Sequence, residues 1–176
     1  MLFSERSIWT MVHGIGLGGG ALVALAVALF YLYAIRPVPL SSETDNGSRA
    51  FTTVTVFAAI LLWLTVIIGT YLIFPPYRVT PPPGATDLSE FPRALILGSP
   101  NTAWLHAFAM ETKEHMPWIA AMLTTAVAFV VARYPRTALT NPVIRRMAFT
   151  LLAVSFAVVT FVSLLGVFVN KVAPLD

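Results

Sequence analysis

Four long apolar stretches divide the chain, each closed by a polar or proline-bearing segment. The first runs from about 8 to 34 and stops before Arg36-Pro37. The second covers 51–74 and is closed by Pro75-Pro76-Tyr77-Arg78. The third covers 116–134 and the fourth 147–170. A helix needs about 20 apolar residues to cross the hydrocarbon core of a bilayer. Runs this long satisfy their backbone hydrogen bonds in lipid only as helices. No run has a charge at its centre. The pattern predicts an all-α integral membrane protein: one domain over residues 1–176, with four transmembrane helices in an antiparallel bundle. The apolar run from Ile8 to Ile35 exceeds the roughly 7–15 residues of a signal-peptide core, so the first span is read as retained.

The connections differ in character. The first, 36–50, is polar, with Ser41, Ser42, Asp45, Asn46, Gly47 and Ser48. The second, 75–100, is long and rich in proline, hence stiff and extended; it is the expected docking surface for other subunits of a membrane complex. Ser99-Pro100 has the form of an N-cap followed by proline at the first helical position. A helix from Pro100 to Tyr134 would be about 52 Å long at 1.5 Å per residue, too long for the bilayer core. Its first part is expected as a helical extension outside the membrane before the third span, with Pro117 as a kink or a fresh start.

Orientation rests on basic residues in the short connections. Arginines 36, 49, 133, 136, 145 and 146 share one side; Arg6, Arg78, Arg93, Lys113 and Lys171 share the other. The dense cluster in the third connection, free of acids, places that side in the cytoplasm. Both termini and the 75–100 segment are then extracytoplasmic, and a bacterial inner membrane is the expected location.

Composition agrees with a membrane chain. It is 57% hydrophobic and 11% charged, against about 25% charged for a soluble domain. The net charge of +3 is scattered and gives no nucleic-acid footprint. The absence of cysteine excludes disulfides, thiolate metal sites and covalent haem attachment.

The candidate chemistry lies with the three histidines, His13, His106 and His115, which the four-span topology brings toward one membrane face. In the first span, Gly16 and Gly20 follow His13 at i+3 and i+7 on one helical face. A histidine above a smooth glycine face suits a flat macrocycle: the imidazole ligates iron and the glycines let the ring approach the backbone. The same glycines also make the small-xxx-small pattern of close helix packing. His115 is expected at nearly the depth of His13, with Glu111 at i−4 to orient its ring. His13 with His115 is the preferred axial pair and His106 the alternative. His106 and His115 are nine residues apart, about 180° around a continuous helix, and cannot face one site together. Glu111 and Glu114 are either a proton relay or ordinary interfacial carboxylates. Met110 and Met116 beside histidines are too few to favour copper.

Four spans, no cysteine and histidines at helix ends resemble the small b-type cytochromes and membrane-anchor subunits of respiratory complexes. That resemblance implies one haem b near the extracytoplasmic face, with His13 and His115 (or His106) as ligands and electrons passing between the quinone pool and a partner subunit. Four haem ligands are not available, since the second and fourth spans hold no histidine. The alternative is a cofactor-free structural or anchor subunit. A transporter is disfavoured because no span centre carries an ionisable residue.

Overall fold

The computed structural model describes residues 4–34 and 44–173, with only the backbone for 44–46. The stop at Arg36-Pro37 and most of the first connection lie outside these residues.

Four helices are long and apolar enough to cross a membrane: α1 (Glu5–Ala34), α2 (Gly47–Tyr77), α4 (Leu105–Arg133) and α6 (Pro142–Val172). Two short helices complete the described chain, α3 (Pro92–Leu97) before the third span and α5 (Pro135–Thr140) before the fourth. The expected all-α bundle is therefore present, and a short helical extension does precede the third span. Each span packs against two others, α1 on α2 and α6, and α4 on α2 and α6, which closes a four-helix ring.

The spans adhere through small residues and threaded polar bonds, as membrane helices do. Ala21, Ala24, Ala28, Ala58, Ala120, Ala121 and Ala148 lie in the core beside Leu25, Leu62, Val131 and Leu152. The Thr52 hydroxyl donates to the Val131 carbonyl at 3.1 Å, and the Trp63 indole donates to Thr125 Oγ1 at 2.9 Å. Ser155 donates to the Ala120 carbonyl across the α4–α6 seam. Thr55 and Thr65 bond back to their own i−4 carbonyls. A second, smaller core of Tyr77, Ile96, Leu105, Ala109, Met110, Leu165 and Ala173 closes the end of the bundle where α3 docks.

Two sequence expectations shift. The long helix that carries the third span begins at Leu105, not at Ser99-Pro100. Residues 99–102 form a turn instead, with the Thr102 hydroxyl bonded to the Ile96 carbonyl at 2.7 Å, which reverses the chain after α3. Pro117 does not start a new helix; it lies inside one continuous α-helical run, Glu111–Arg133. Trp118 meets Trp63 edge-on at 5.8 Å, and Tyr77 is buried in the smaller core.

Three of the four spans carry a π-helical stretch: Val12–Gly19 in α1, Gly69–Ile73 in α2 and Leu105–Met110 at the start of α4. The up-and-down topology brings all three toward the same end of the bundle, the end that also holds α3. Their causes are local. The α1 stretch has glycine at 14, 16, 18 and 19, so a wider turn meets little side-chain resistance. The α2 stretch runs into Pro75-Pro76, whose rings would press on carbonyls one turn back; widening the turn relieves that pressure. Such π turns are uncommon and concentrate at functional sites.

Candidate functional site

The three π stretches surround a layer of polar groups. His13 stands on the α1 stretch and its ring meets α2 at Gly69, with Cε1 nearest. A Cβ built on Gly69 would lie 2.7 Å from His13 Cε1 and 3.4 Å from each ring nitrogen. Glycine at 69 is what lets the imidazole enter the seam. The backbone of Thr65, one turn away on α2, offers the ring a hydrogen bond. Nδ1 is buried with no partner, so the nitrogen left for Thr65 is Nε2. One turn earlier on α1, Thr10 Oγ1 is also buried without a partner.

Lys113 reaches the same layer from α4. Its Nζ would stand 3.2 Å from a Cβ on Gly166 of α6, so the ammonium group lies across the α4–α6 seam. Its charge acts on His13. Burial is the one influence on Lys113 itself; no carboxylate among the described residues offsets its charge. Each unpaired buried polar group costs about 1–3 kcal/mol, more when charged. Two such groups, His13 Nδ1 and Thr10 Oγ1, lie one turn apart on α1, facing the layer that Lys113 reaches from α4.

The other predicted residues go elsewhere. His115 follows Lys113 by two residues, about 200° around the helix. It is exposed, and its Nδ1–H donates to the Glu111 carbonyl at 2.7 Å. The ring is indeed oriented by Glu111, but through the backbone and not the carboxylate. His106 lies seven residues before Lys113, about 10 Å nearer the membrane face on an α-helical rise. It shares a 3.0 Å hydrogen bond through Nδ1 with the Tyr77 hydroxyl, and their rings are 6.0 Å apart. The structure thus does not bring His13 and His115 to one site, and it leaves His106 in a separate cluster. That cluster holds Arg78, Arg93, Glu111 and Glu114, whose charges act on His106 or on one another.

Gly16 and Gly20 do not form a joint platform. Gly20 faces α2, where a Cβ would meet Leu61 Cδ1 at 3.2 Å, while Gly16 faces open space. His115 and His106 each commit Nδ1 to a hydrogen bond and keep Nε2 uncommitted, while His13 lies in the α1–α2 seam. Among the described residues no three His, Asp or Glu side chains gather closely enough to hold a metal ion.

Lys113 is the residue that sequence reasoning passes over, because it lies inside the polar run Glu111-Thr112-Lys113-Glu114-His115. Its one signal is the shared helical face with Met110, which is buried. No family model, curated protein or solved structure matches this chain.

Proposed function

We propose that the chain is a membrane subunit of an electron-transfer complex, and that the layer between His13 and Lys113 receives the head group of a quinone. The observation that carries this reading is the pair of nitrogen groups, one on α1 and one on α4, held inside an apolar bundle with no carboxylate to satisfy them. A quinone matches that environment. Its ring and tail are apolar, and its two oxygens are the only groups that need partners. Lys113 supplies N–H donors and a positive charge that favours a reduced, oxygen-anionic ring. The imidazole of His13 is the side chain best suited to exchange a proton near neutral pH. The site holds and orients the ring, and the electrons come from a redox centre of a partner subunit.

In this reading the chain lies in a bacterial inner membrane with the His13–Lys113 end toward the outside, so the α3 segment and the proline-rich connection face an extracytoplasmic partner. A second reading, a purely structural subunit, draws on Gly14 and Gly16: each has nothing within 4 Å of a built Cβ, and Ile15 between them is 75% exposed. Such a face suits a partner helix.

The test is retention of quinone. The purified chain, reconstituted in nanodiscs containing a long-chain benzoquinone or naphthoquinone, is washed, extracted and assayed. The wild type keeps about one quinone per chain, while Lys113→Met and His13→Phe lower retention about tenfold, the scale of one charge-assisted hydrogen bond. Equal retention by wild type and both variants would leave the structural reading standing.

A further inference from the structure

The end of the bundle opposite the His13–Lys113 layer carries a collar of arginines, and two hydrogen bonds set the level of its members. Ser155 of α6 bonds the Ala120 carbonyl of α4, and Thr52 of α2 bonds the Val131 carbonyl of α4. Arg133 is 13 residues beyond Ala120 (133 less 120), and Arg146 is 9 before Ser155 on the antiparallel neighbour (155 less 146). Their backbones therefore differ in depth by about 6 Å, four residues at 1.5 Å each. The same count from Thr52 and Val131 puts Arg49 within about 1.5 Å of the Arg133 level. Arg49, Arg133 and Arg146 are exposed, and so is Arg136 on α5. Phe129, Val143 and Met147 are exposed beside them, so the collar stands where acyl chains give way to headgroups. The platform beneath is fixed. Ala138 and Leu139 anchor α5 in the core, Asn141 caps α6 with its side-chain oxygen, and the Arg145 guanidinium donates to the Leu32 carbonyl near the end of α1. No Asp or Glu occurs from residue 115 to 175, and the connections at this end hold six arginines against Glu43 and Asp45, a net of +4 (6 less 2).

We propose that this collar is a binding surface for anionic phospholipid headgroups, centred on Arg133 and Arg146 at the facing ends of α4 and α6. A guanidinium presents a planar fork of N–H donors that matches phosphate oxygens. Basic side chains clustered beside a span are also drawn to an anionic leaflet. Arg133 lies over the Tyr134 ring at 5.3 Å, which restricts the guanidinium before a lipid arrives. A free phosphate would meet the same donors, but it gains nothing from the exposed phenylalanine, valine and methionine around them. A zwitterionic lipid would pack its chains there but bring a choline cation beside the arginines. The surface serves in either leaflet and does not depend on the quinone layer.

Native mass spectrometry of the full chain released from detergent measures lipid retention. Phosphatidylglycerol and phosphatidylcholine are titrated in parallel, with and without millimolar inorganic phosphate. The wild type retains phosphatidylglycerol in preference to phosphatidylcholine, and inorganic phosphate does not displace it. Arg133→Gln combined with Arg146→Gln lowers phosphatidylglycerol binding about thirtyfold, and each single variant loses about fivefold. Arg78→Gln combined with Arg93→Gln removes the same charge from the opposite end and stays within about twofold of the wild type, since charges that far away are screened. Equal binding of the two lipids by the wild type overturns the proposal. So does an equal loss in the two double variants, which would report net charge and not a site, and so does the absence of any loss in both single variants. Displacement by inorganic phosphate would assign the arginines to a free anion instead of a lipid.

Discussion

Gly69→Ala tests whether the His13 ring truly occupies the α1–α2 seam. The new methyl would start 2.7 Å from His13 Cε1, well inside contact distance, so the imidazole must turn or the two helices must part. Overpacking of this kind costs about 1–3 kcal/mol, and replacing a helical glycine with alanine returns about 1 kcal/mol. The net expectation is a destabilisation of up to about 2 kcal/mol. The decisive measurement adds His13→Ala. With the ring gone, the methyl added at position 69 enters space the imidazole has vacated. The clash disappears and only the helix-propensity gain remains, so in that background Gly69→Ala stabilises by about 1 kcal/mol. The cycle therefore predicts a coupling of about 1–3 kcal/mol between positions 56 residues apart in the chain, 69 less 13. Reversible unfolding in bicelles by steric trapping gives the four stabilities. If Gly69→Ala has the same effect in both backgrounds within about 0.5 kcal/mol, the two residues do not touch and the site as described is wrong.

Three further outcomes rest on the geometry. Trp63→Phe removes the 2.9 Å indole bond to Thr125 but keeps an aromatic ring beside Trp118, and should cost about 1 kcal/mol in the same unfolding assay; no loss would show that the bond adds nothing to the α2–α4 seam. Because the chain has no cysteine, a single introduced thiol reports topology cleanly: Ser89→Cys should react with an impermeant maleimide in intact cells and Thr137→Cys only after permeabilisation, and the reverse pattern would invert the proposed orientation. A reduced-minus-oxidised visible spectrum of the purified chain should lack a sharp haem α-band; a band abolished by His13→Ala and by His115→Ala alike would mean that the two rings meet after all.

The spans are legible because the bilayer imposes a simple rule on apolar length, and every segment predicted from that rule overlaps an observed helix. The start of the third span is not. Residues 111–115 are polar and read as a junction, yet hydrogen bonding along the backbone carries the helix through them and through Pro117. The rough depth of the histidines is legible from topology, but azimuth is not. Sequence spacing fixes angles within one helix and says nothing about how two helices are rotated against each other. His13 faces Gly69 and His115 faces outward for that reason. The π stretches shift faces further, since each wide turn rotates the residues before it relative to those after it. Their local signals, the glycine cluster at 14–19 and the proline pair at 75–76, become visible only beside the structure. Lys113 is hidden by its neighbours, because a lysine amid four polar residues reads as solvated.

The most direct test of the central claim is photolabelling with an azidoquinone in nanodiscs, followed by peptide mapping. The account predicts adducts confined to the α1 peptide containing Thr10 and His13 and the α4 peptide containing Lys113, suppressed by excess unlabelled quinone. Labelling spread along the exposed outer faces of the spans, such as Phe30, Phe129 and Phe168, with nothing at His13 or Lys113, would contradict it.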